Sequence, residues 1–148
     1  IKVSNMKRAD QPIIIEETYN KPVKSVWAAI TEPEQMRKWF FDNMPDFKPE
    51  VGFEVEFDVE TGGRVFPHQW KITKVEPGKL IEYNWKYGGY KGDAYVTFEL
   101  TKEGNSTSLR LTNIIVEDFQ EDIPEFKRES CIGGWNYFIK ERLKGYLS

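Results

Sequence analysis

Apolar and polar residues alternate with a period of two through the middle of the chain, and this alternation gives way to helical spacing on either side of it. The clearest run is Val51 to Glu60, where Val51, Phe53, Val55, Phe57 and Val59 share one face and Glu54, Glu56, Asp58 and Glu60 share the other. Thr61-Gly62-Gly63 ends it, and the next run, Val65 to Val75, puts Phe66, His68, Trp70 and Ile72 on a common face. Glu76-Pro77-Gly78-Lys79 has Pro second and Gly third, the order a type II turn needs, so a hairpin is predicted. Leu80 to Tyr87 continues with Ile81, Tyr83, Trp85 and Tyr87 on one face, and Gly88-Gly89 and Gly92-Asp93 mark a loop. Two more alternating runs follow, one with Ala94, Val96, Phe98 and Leu100, the other with Leu109, Leu111, Asn113 and Ile115, joined by a Lys102-Glu103-Gly104-Asn105 turn. Residues 12 to 20, led by three isoleucines and closed by Lys21-Pro22, add a strand ahead of these five.

Between that first strand and the other five, Val23, Val26, Trp27 and Ile30 recur at helical spacing behind Pro22, which suits a first helical turn. Thr31-Glu32-Pro33-Glu34 reads as a capping box that restarts the helical pattern over Pro33 to Phe40. From Pro124 to Leu147 the spacing is helical again, with Phe126, Trp135, Phe138, Ile139, Leu143 and Tyr146 as the apolar stripe and Asp122 as expected N-cap. A one-sided antiparallel sheet needs a cover, and a long amphipathic helix needs a face. The expectation is an α+β domain: about six antiparallel strands in one sheet, two short helices after the first strand, and a long C-terminal helix on the apolar face.

Composition supports a single core. A chain of 148 residues buries roughly 68–70% of its unfolded surface on folding. Residues 13 to 148 are read as one domain and residues 1 to 12 as an N-terminal tail. Because the chain opens on Ile1, Met6 is taken as the native start and Ile1 to Asn5 as sequence added ahead of it, so the tail is left out of the fold expectation. Aromatic residues make up 15% of the chain, enough to require a core, a pocket or an interface to hold them.

The formal charge of −3 comes from scattered Lys, Arg and acidic residues, which gives no footprint for nucleic acid or an anionic membrane surface. Apolar runs such as Ile13 to Ile15 and Ile114 to Val116 are far shorter than the ~20 residues of a membrane span, and a cytoplasmic location is the default expectation. Cys131 is the only cysteine, so no internal disulfide forms, and with His68 as the only histidine a Cys/His metal cage is excluded within one chain. No metal or other cofactor is implied, although a carboxylate-only calcium site is not excluded by counting alone. The acidic row from Glu54 to Glu60 opposes Val and Phe so regularly that it reads as a solvated outer face.

The segment Pro22-Val23-Lys24-Ser25-Val26-Trp27-Ala28-Ala29-Ile30-Thr31-Glu32-Pro33-Glu34-Gln35-Met36-Arg37-Lys38-Trp39-Phe40 closely resembles the helix-pair signature of the family like the activator of the 90-kDa heat-shock-protein ATPase, within the START and birch-pollen-allergen superfamily. The resemblance continues through Trp70-Lys71-Ile72, Val75 to Ile81, Tyr83-Asn84-Trp85 and Gly134 to Phe138, and covers nearly all of residues 13 to 148. It implies a helix-grip fold, with the sheet curved round the last helix, the two short helices closing one end, and a cavity between sheet and helix. Proteins of this kind include co-chaperone domains, lipid and hormone binders and aromatic polyketide cyclases, so fold analogy leaves the function open. The eukaryotic co-chaperones carry an additional N-terminal docking domain for which this chain has no room, and activation of a chaperone ATPase is therefore not expected.

The implied cavity wall draws on the inward strand faces: His68 and Trp70, then Tyr83, Trp85 and Tyr87, then Phe98 and Asn113. Gly134, Trp135 and Phe138 complete the ligand-binding set from the closing helix. His68 is assigned to the wall rather than to chemistry, since no acid or base partner is evident in sequence, and no catalytic residue is named. Asn113 interrupts an apolar face and needs a hydrogen-bond partner, either a ligand or a backbone group. Glu17 is either a cavity carboxylate or a surface residue, depending on which face of its strand points inward. Gly133 and Gly134 each cost about 1 kcal/mol inside a helix relative to alanine. They imply close packing, room for a ligand beside Trp135, or a helix that begins only after them. The leading expectation is a non-enzymatic domain binding a small, largely apolar molecule. The alternatives are a co-chaperone-like protein-interaction domain in a stress-response setting, and a small cyclase or hydrolase using His68 with Tyr83 or Glu17. Expected partners are a small hydrophobic molecule and a chaperone or other protein, and the expected assembly is a monomer or weak homodimer.

Overall fold

A computed structural model describes residues 5–148; the Ile1 to Ser4 part of the N-terminal tail lies outside the described residues. The strands are β1 (Ile13–Tyr19), β2 (Glu54–Thr61), β3 (Arg64–Glu76), β4 (Leu80–Tyr87), β5 (Asp93–Glu103) and β6 (Ser106–Glu117). They form one antiparallel sheet in the order β1-β6-β5-β4-β3-β2, a five-stranded meander with β1 added beside β6. At the β3–β4 turn Gly78 has φ +74°, and the Lys79 N–H donates to the Glu76 carbonyl at 2.9 Å. Only glycine takes that conformation without strain, which is why the Pro-Gly pair marks the hairpin.

Register follows the alternation: Phe57 faces His68 across β2 and β3, Trp70 faces Trp85 across β3 and β4, and Phe98 faces Leu111 across β5 and β6. The inward rows are buried almost throughout, and Glu54, Glu56, Asp58 and Glu60 stand in solvent on the other face. Strand β2 starts later than its pattern predicts. Gly52 turns the chain at φ +92° and Val51 is 68% exposed, so the first apolar position of the run never reaches the sheet.

Helices α1 (Val23–Thr31) and α2 (Pro33–Trp39) follow β1. The predicted capping box does not form. Thr31 is the last residue of α1, where its hydroxyl donates back to the Trp27 carbonyl at 2.7 Å, and Glu32 takes the N-cap position of α2 without a side-chain bond to the helix backbone. Pro33 explains this: a residue before proline is driven out of the helical region, and Glu32 is extended at φ −94°, ψ 121°. Trp39 is fully buried, donates its indole N–H to the Ala29 carbonyl at 2.7 Å and stacks on Phe40 at 4.6 Å, which locks α2 against α1.

The closing helix begins at Arg128, not at the expected Asp122 cap. Asp122 is in the left-handed region at φ +66°, and a single 3-10 turn, Pro124–Phe126, intervenes. Helix α3 (Arg128–Asn136) runs through Gly133 and Gly134, so the helix does not start after them; it widens into a π turn at Tyr137–Arg142 and ends as α4 (Leu143–Tyr146). Its buried stripe is Trp135, Ile139, Leu143 and Leu147, while Tyr146 is 38% exposed. At 3.6 residues per turn a spacing of four drifts by about 40° per step. The π turn winds fewer degrees per residue and returns the later residues to the sheet.

Charged side chains fasten this helix to its neighbours. Arg142 donates to the Lys38 and Trp39 carbonyls at the end of α2, Lys140 to the Glu16 carbonyl at 2.6 Å, and Lys144 to the Thr18 carbonyl at 2.5 Å. Beneath them the buried Tyr19 hydroxyl donates to the Ile139 carbonyl at 2.7 Å, inside the π turn.

Two apolar clusters fill the space between sheet and helices. The larger joins the inner rows of the sheet to α1, α2 and the closing helix. The smaller comprises Met6, Phe66, Ala94, Ile115, Phe119 and Phe126. Met6 belongs to the fold, contrary to the reading of its segment as a tail. It is buried, its N–H donates to the Phe126 carbonyl and its carbonyl accepts from the Phe119 N–H, each at 3.0 Å. Gly92 permits the approach of Phe119, since a Cβ there would lie 2.5 Å from the ring.

Candidate functional site

Tyr87 and Cys131 pack against both clusters, which otherwise stay apart. Between them lies a cavity of about 200 Å³. Its walls come from the inner rows of β2 to β6, its lid is the glycine-bearing part of α3, and Met6, Phe119 and Phe126 form its floor. That volume is below the ~300 Å³ at which drug-sized ligand pockets begin, yet an apolar cavity of roughly 150 Å³ already holds benzene. The space suits one ring or a fused pair.

Of the ten residues expected to bind ligand, seven line this cavity: His68, Trp85, Tyr87, Asn113, Gly134, Trp135 and Phe138. Trp70, Tyr83 and Phe98 do not. They lie on the same inward rows but further toward the α1–α2 end, where aromatic side chains following α2 fill the space. Phe40 packs 5.6 Å from Trp70 and 6.4 Å from Phe98, and Phe47 lies 6.1 Å from Tyr83. Periodicity assigns a residue to a face and is blind to what the opposite layer delivers there.

Gly134 settles the question its helix position raised. A Cβ at Gly133 or Gly134 would meet nothing within 4 Å, so neither glycine allows close packing. At Gly134 the missing side chain leaves space that belongs to the cavity.

The polar groups of the wall are few. Asn113 Oδ1 accepts from Trp135 Nε1 and from the Cys131 thiol, both at 3.2 Å, and its amide donates to the Tyr95 carbonyl at 3.4 Å. This is the partner an amide on an apolar row requires, and it fixes Trp135 in the lid. His68 donates from Nδ1 to the Phe66 carbonyl at 2.9 Å, which leaves Nε2 as an acceptor. Its ring packs 5.1 Å from Phe57, 5.2 Å from Phe41 and 4.8 Å from Tyr87. Burial lowers the imidazole pKa to about 4 despite the opposing effect of the Phe66 carbonyl, so His68 is neutral at neutral pH.

Burial also raises the Tyr87 hydroxyl above its usual range, with Cys131 adding to the rise, and pushes the Cys131 thiol up to about 12. Cys131 is partly exposed as a residue, but its thiol is enclosed by the wall. The indole N–H of Trp85 is sealed and makes no hydrogen bond. The carboxylate among the lining residues, Glu125, is paired with Arg64 at 3.3 Å.

Glu17 is not a cavity carboxylate. It does lie on the inward face of β1, but at the rim, where Lys140 and Lys144 reach it at 3.8 and 3.4 Å. Tyr83 is sealed in the core with its hydroxyl unpartnered. Neither joins His68, and the acid–base pairs envisaged from sequence are not assembled.

Sequence reasoning also missed much of the wall. Met6 was set aside with the tail, Phe41 and Phe119 come from loops that carry no period, and Phe126, expected on the stripe of the closing helix, sits in the 3-10 turn ahead of it. For Phe41 and Phe119 the aromatic content was the one signal.

The model of the family described as activator of Hsp90 ATPase homolog 1-like protein matches residues 20–148. The chain belongs to this family. No curated protein matches the sequence. Among solved structures, protein Mll3558 from Rhizobium loti is similar at 20% identity and a TM-score of 0.79, covering 93% of this chain and 96% of its own. MLL2253 from Mesorhizobium loti aligns at 26% identity and 0.72, with the same coverage of both chains. The Aha1 dimer from Colwellia psychrerythraea aligns at 20% identity and 0.68, again over 93% and 96%. The agreement of these structures over nearly their full length establishes the helix-grip fold, and family membership agrees with the resemblance carried by the Pro22 to Phe40 segment.

Proposed function

We propose that this chain is a non-enzymatic binding domain whose cavity accepts a small, largely apolar ring molecule. The observation that carries the reading is the unfilled space under α3. A chain rich in large side chains places two successive glycines in a helix, at a cost of about 1 kcal/mol each, and at Gly134 the vacated volume opens onto aromatic walls rather than onto a packed neighbour. A domain selected only for stability would fill that gap. Catalysis is less well supported, because the neutral His68 has its one hydrogen bond to a backbone carbonyl and none to a carboxylate.

Native mass spectrometry of freshly purified protein, together with an NMR titration with naphthalene, tests the reading. A co-purifying small molecule, or saturable one-to-one binding that shifts the Trp85 and Trp135 indole signals, is the expected result. Absence of both would remove the proposal. By the same reading the domain comprises residues 13 to 148 with Met6 added to its core, and functions in the cytoplasm; no described helix is long and apolar enough to cross a membrane.

A second reading, a protein-interaction role, draws on the family description and on the dimeric Aha1 relative. Ile14, Ile114 and Val116 are exposed on the outer face of β1 and β6, and they would be the contact surface. Sedimentation equilibrium of wild type and Ile114→Lys distinguishes it: self-association abolished by the substitution favours an interface, and a monomer in both leaves the cavity as the functional element.

A further inference from the structure

Resting on the ligand-binding reading, we propose that the cavity selects an uncharged ring compound carrying one hydroxyl, which donates to His68 Nε2 and accepts from the Tyr87 hydroxyl. His68 and Tyr87 are directly paired across β3 and β4, with ring centroids 4.8 Å apart and planes at 83°, so a side chain with an acceptor and one with a donor are neighbours on the wall. The His68 tautomer is fixed by the bond from Nδ1 to the Phe66 carbonyl. Among the described residues, Nε2 has no hydrogen-bond partner. The Tyr87 hydroxyl has the Trp85 N–H as a neighbour, yet that N–H makes no hydrogen bond, and the tyrosine proton is uncommitted.

Apart from the Trp85 N–H, which is unpartnered but sealed, the other buried polar groups of the inner wall have partners within the protein. Asn113 uses both ends of its amide within the protein, Cys131 donates to Asn113, and Trp135 does the same. With the Trp85 N–H sealed, the unmet demand open to a ligand is therefore one acceptor and one donor, on neighbouring side chains. A hydroxyl supplies both complements from a single atom; a carbonyl would leave Nε2 unpaired.

The charge of the ligand follows from what surrounds it. His68, Tyr87 and Cys131 are all held in their neutral forms by burial. The nearby ions each have a counter-charge, Glu125 with Arg64 at 3.3 Å and Arg128 with Asp10 at 4.0 Å, although Arg128 Nη1 makes no hydrogen bond. A carboxylate or ammonium entering the cavity would lose its water with no counter-charge in return. The rest of the surface offered to the ligand, including Phe41, Trp85, Trp135 and Phe138, is aromatic and favours a flat ring.

Three probes test this on the full chain by calorimetry: naphthalene, 2-naphthol and 2-naphthoate. We expect 2-naphthol to bind about tenfold more tightly than naphthalene, the effect of pairing buried polar groups otherwise left unmet. Ionised 2-naphthoate should bind at least about tenfold more weakly than 2-naphthol. Tyr87→Phe removes only the oxygen, and His68→Leu removes the acceptor; each should reduce the ratio of 2-naphthol to naphthalene affinity to about twofold. Equal affinity of wild type for naphthol and naphthalene overturns the hydroxyl assignment while leaving the binding domain in place. Naphthoate as the tightest ligand overturns the neutrality argument. Failure of all three to bind defeats the ligand-binding reading itself, and the selectivity with it.

Discussion

Replacing Gly134 by leucine should make this protein more stable and a worse binder at the same time. In most buried helices a glycine-to-leucine change overpacks the interface and costs about 1–3 kcal/mol. Here a Cβ at residue 134 has open space for at least 4 Å, and the position opens onto the cavity. Removing a mid-helix glycine contributes about 1 kcal/mol. Complete burial of a leucine side chain contributes roughly 1.5–3 kcal/mol, and a half-buried one at the cavity lid about half of that. The sum is about 2 kcal/mol. With about 2.1 cal/mol/K of unfolding entropy per residue, 148 residues give about 3 °C per kcal/mol, so Tm should rise by about 6 °C. The new side chain occupies ligand space, and naphthalene affinity should fall at least about tenfold, the value of the displaced ring contacts. Gly133→Ala is the control. Gly133 is exposed and off the cavity wall, so the alanine should raise Tm by about 3 °C and leave affinity alone. Differential scanning calorimetry and probe titration on the same samples read both quantities. A lower Tm for Gly134→Leu would refute the claim of open space, and a higher Tm with unaltered affinity would refute the claim that this space is the binding site.

Two further outcomes follow from buried polar groups. His68 has a folded pKa of about 4 against an ordinary 6.5, so the unfolded chain binds the extra proton first. Its contribution is complete above about pH 6.5 and is lost as pH falls toward 4, up to about 3 kcal/mol from this residue. Urea unfolding between pH 7 and 4.5 should therefore show a shallower loss of stability in His68→Leu than in wild type, and parallel curves would show that the imidazole is not held neutral by burial. Tyr19→Phe leaves the Ile139 carbonyl in the π turn without its 2.7 Å donor, and a buried group so orphaned costs about 1–3 kcal/mol. Equilibrium unfolding measures it, and a change below about 0.5 kcal/mol would mean that the turn does not depend on this bond.

The strands were legible because alternation has a direct physical cause: successive side chains point to opposite faces, and only one face of this sheet is covered. Strands β2 to β6, their hairpin turns and the positions of both short helices therefore emerge from the sequence, as does the identity of the closing helix as an amphipathic element. Local signals failed where a competing local constraint or a distant contact outweighed them. Thr31 had the residue type of a cap, but Pro33 moved the helix boundary to Glu32. Met6 looked like part of a loose tail until the Phe119 and Phe126 backbones bracketed it.

The cavity was only half legible, and for one reason. Periodicity identifies the inward row of each strand, but the depth at which a row is met by an opposing layer depends on chain segments far away in sequence. Phe40 and Phe47 convert Trp70, Tyr83 and Phe98 into core, while the glycines of α3 and the separation of the two apolar clusters leave His68, Trp85 and Tyr87 facing space. Sequence determined which side chains point inward. Only the packing of the helix and the N-terminal segment decided which of them face a neighbour and which face a void.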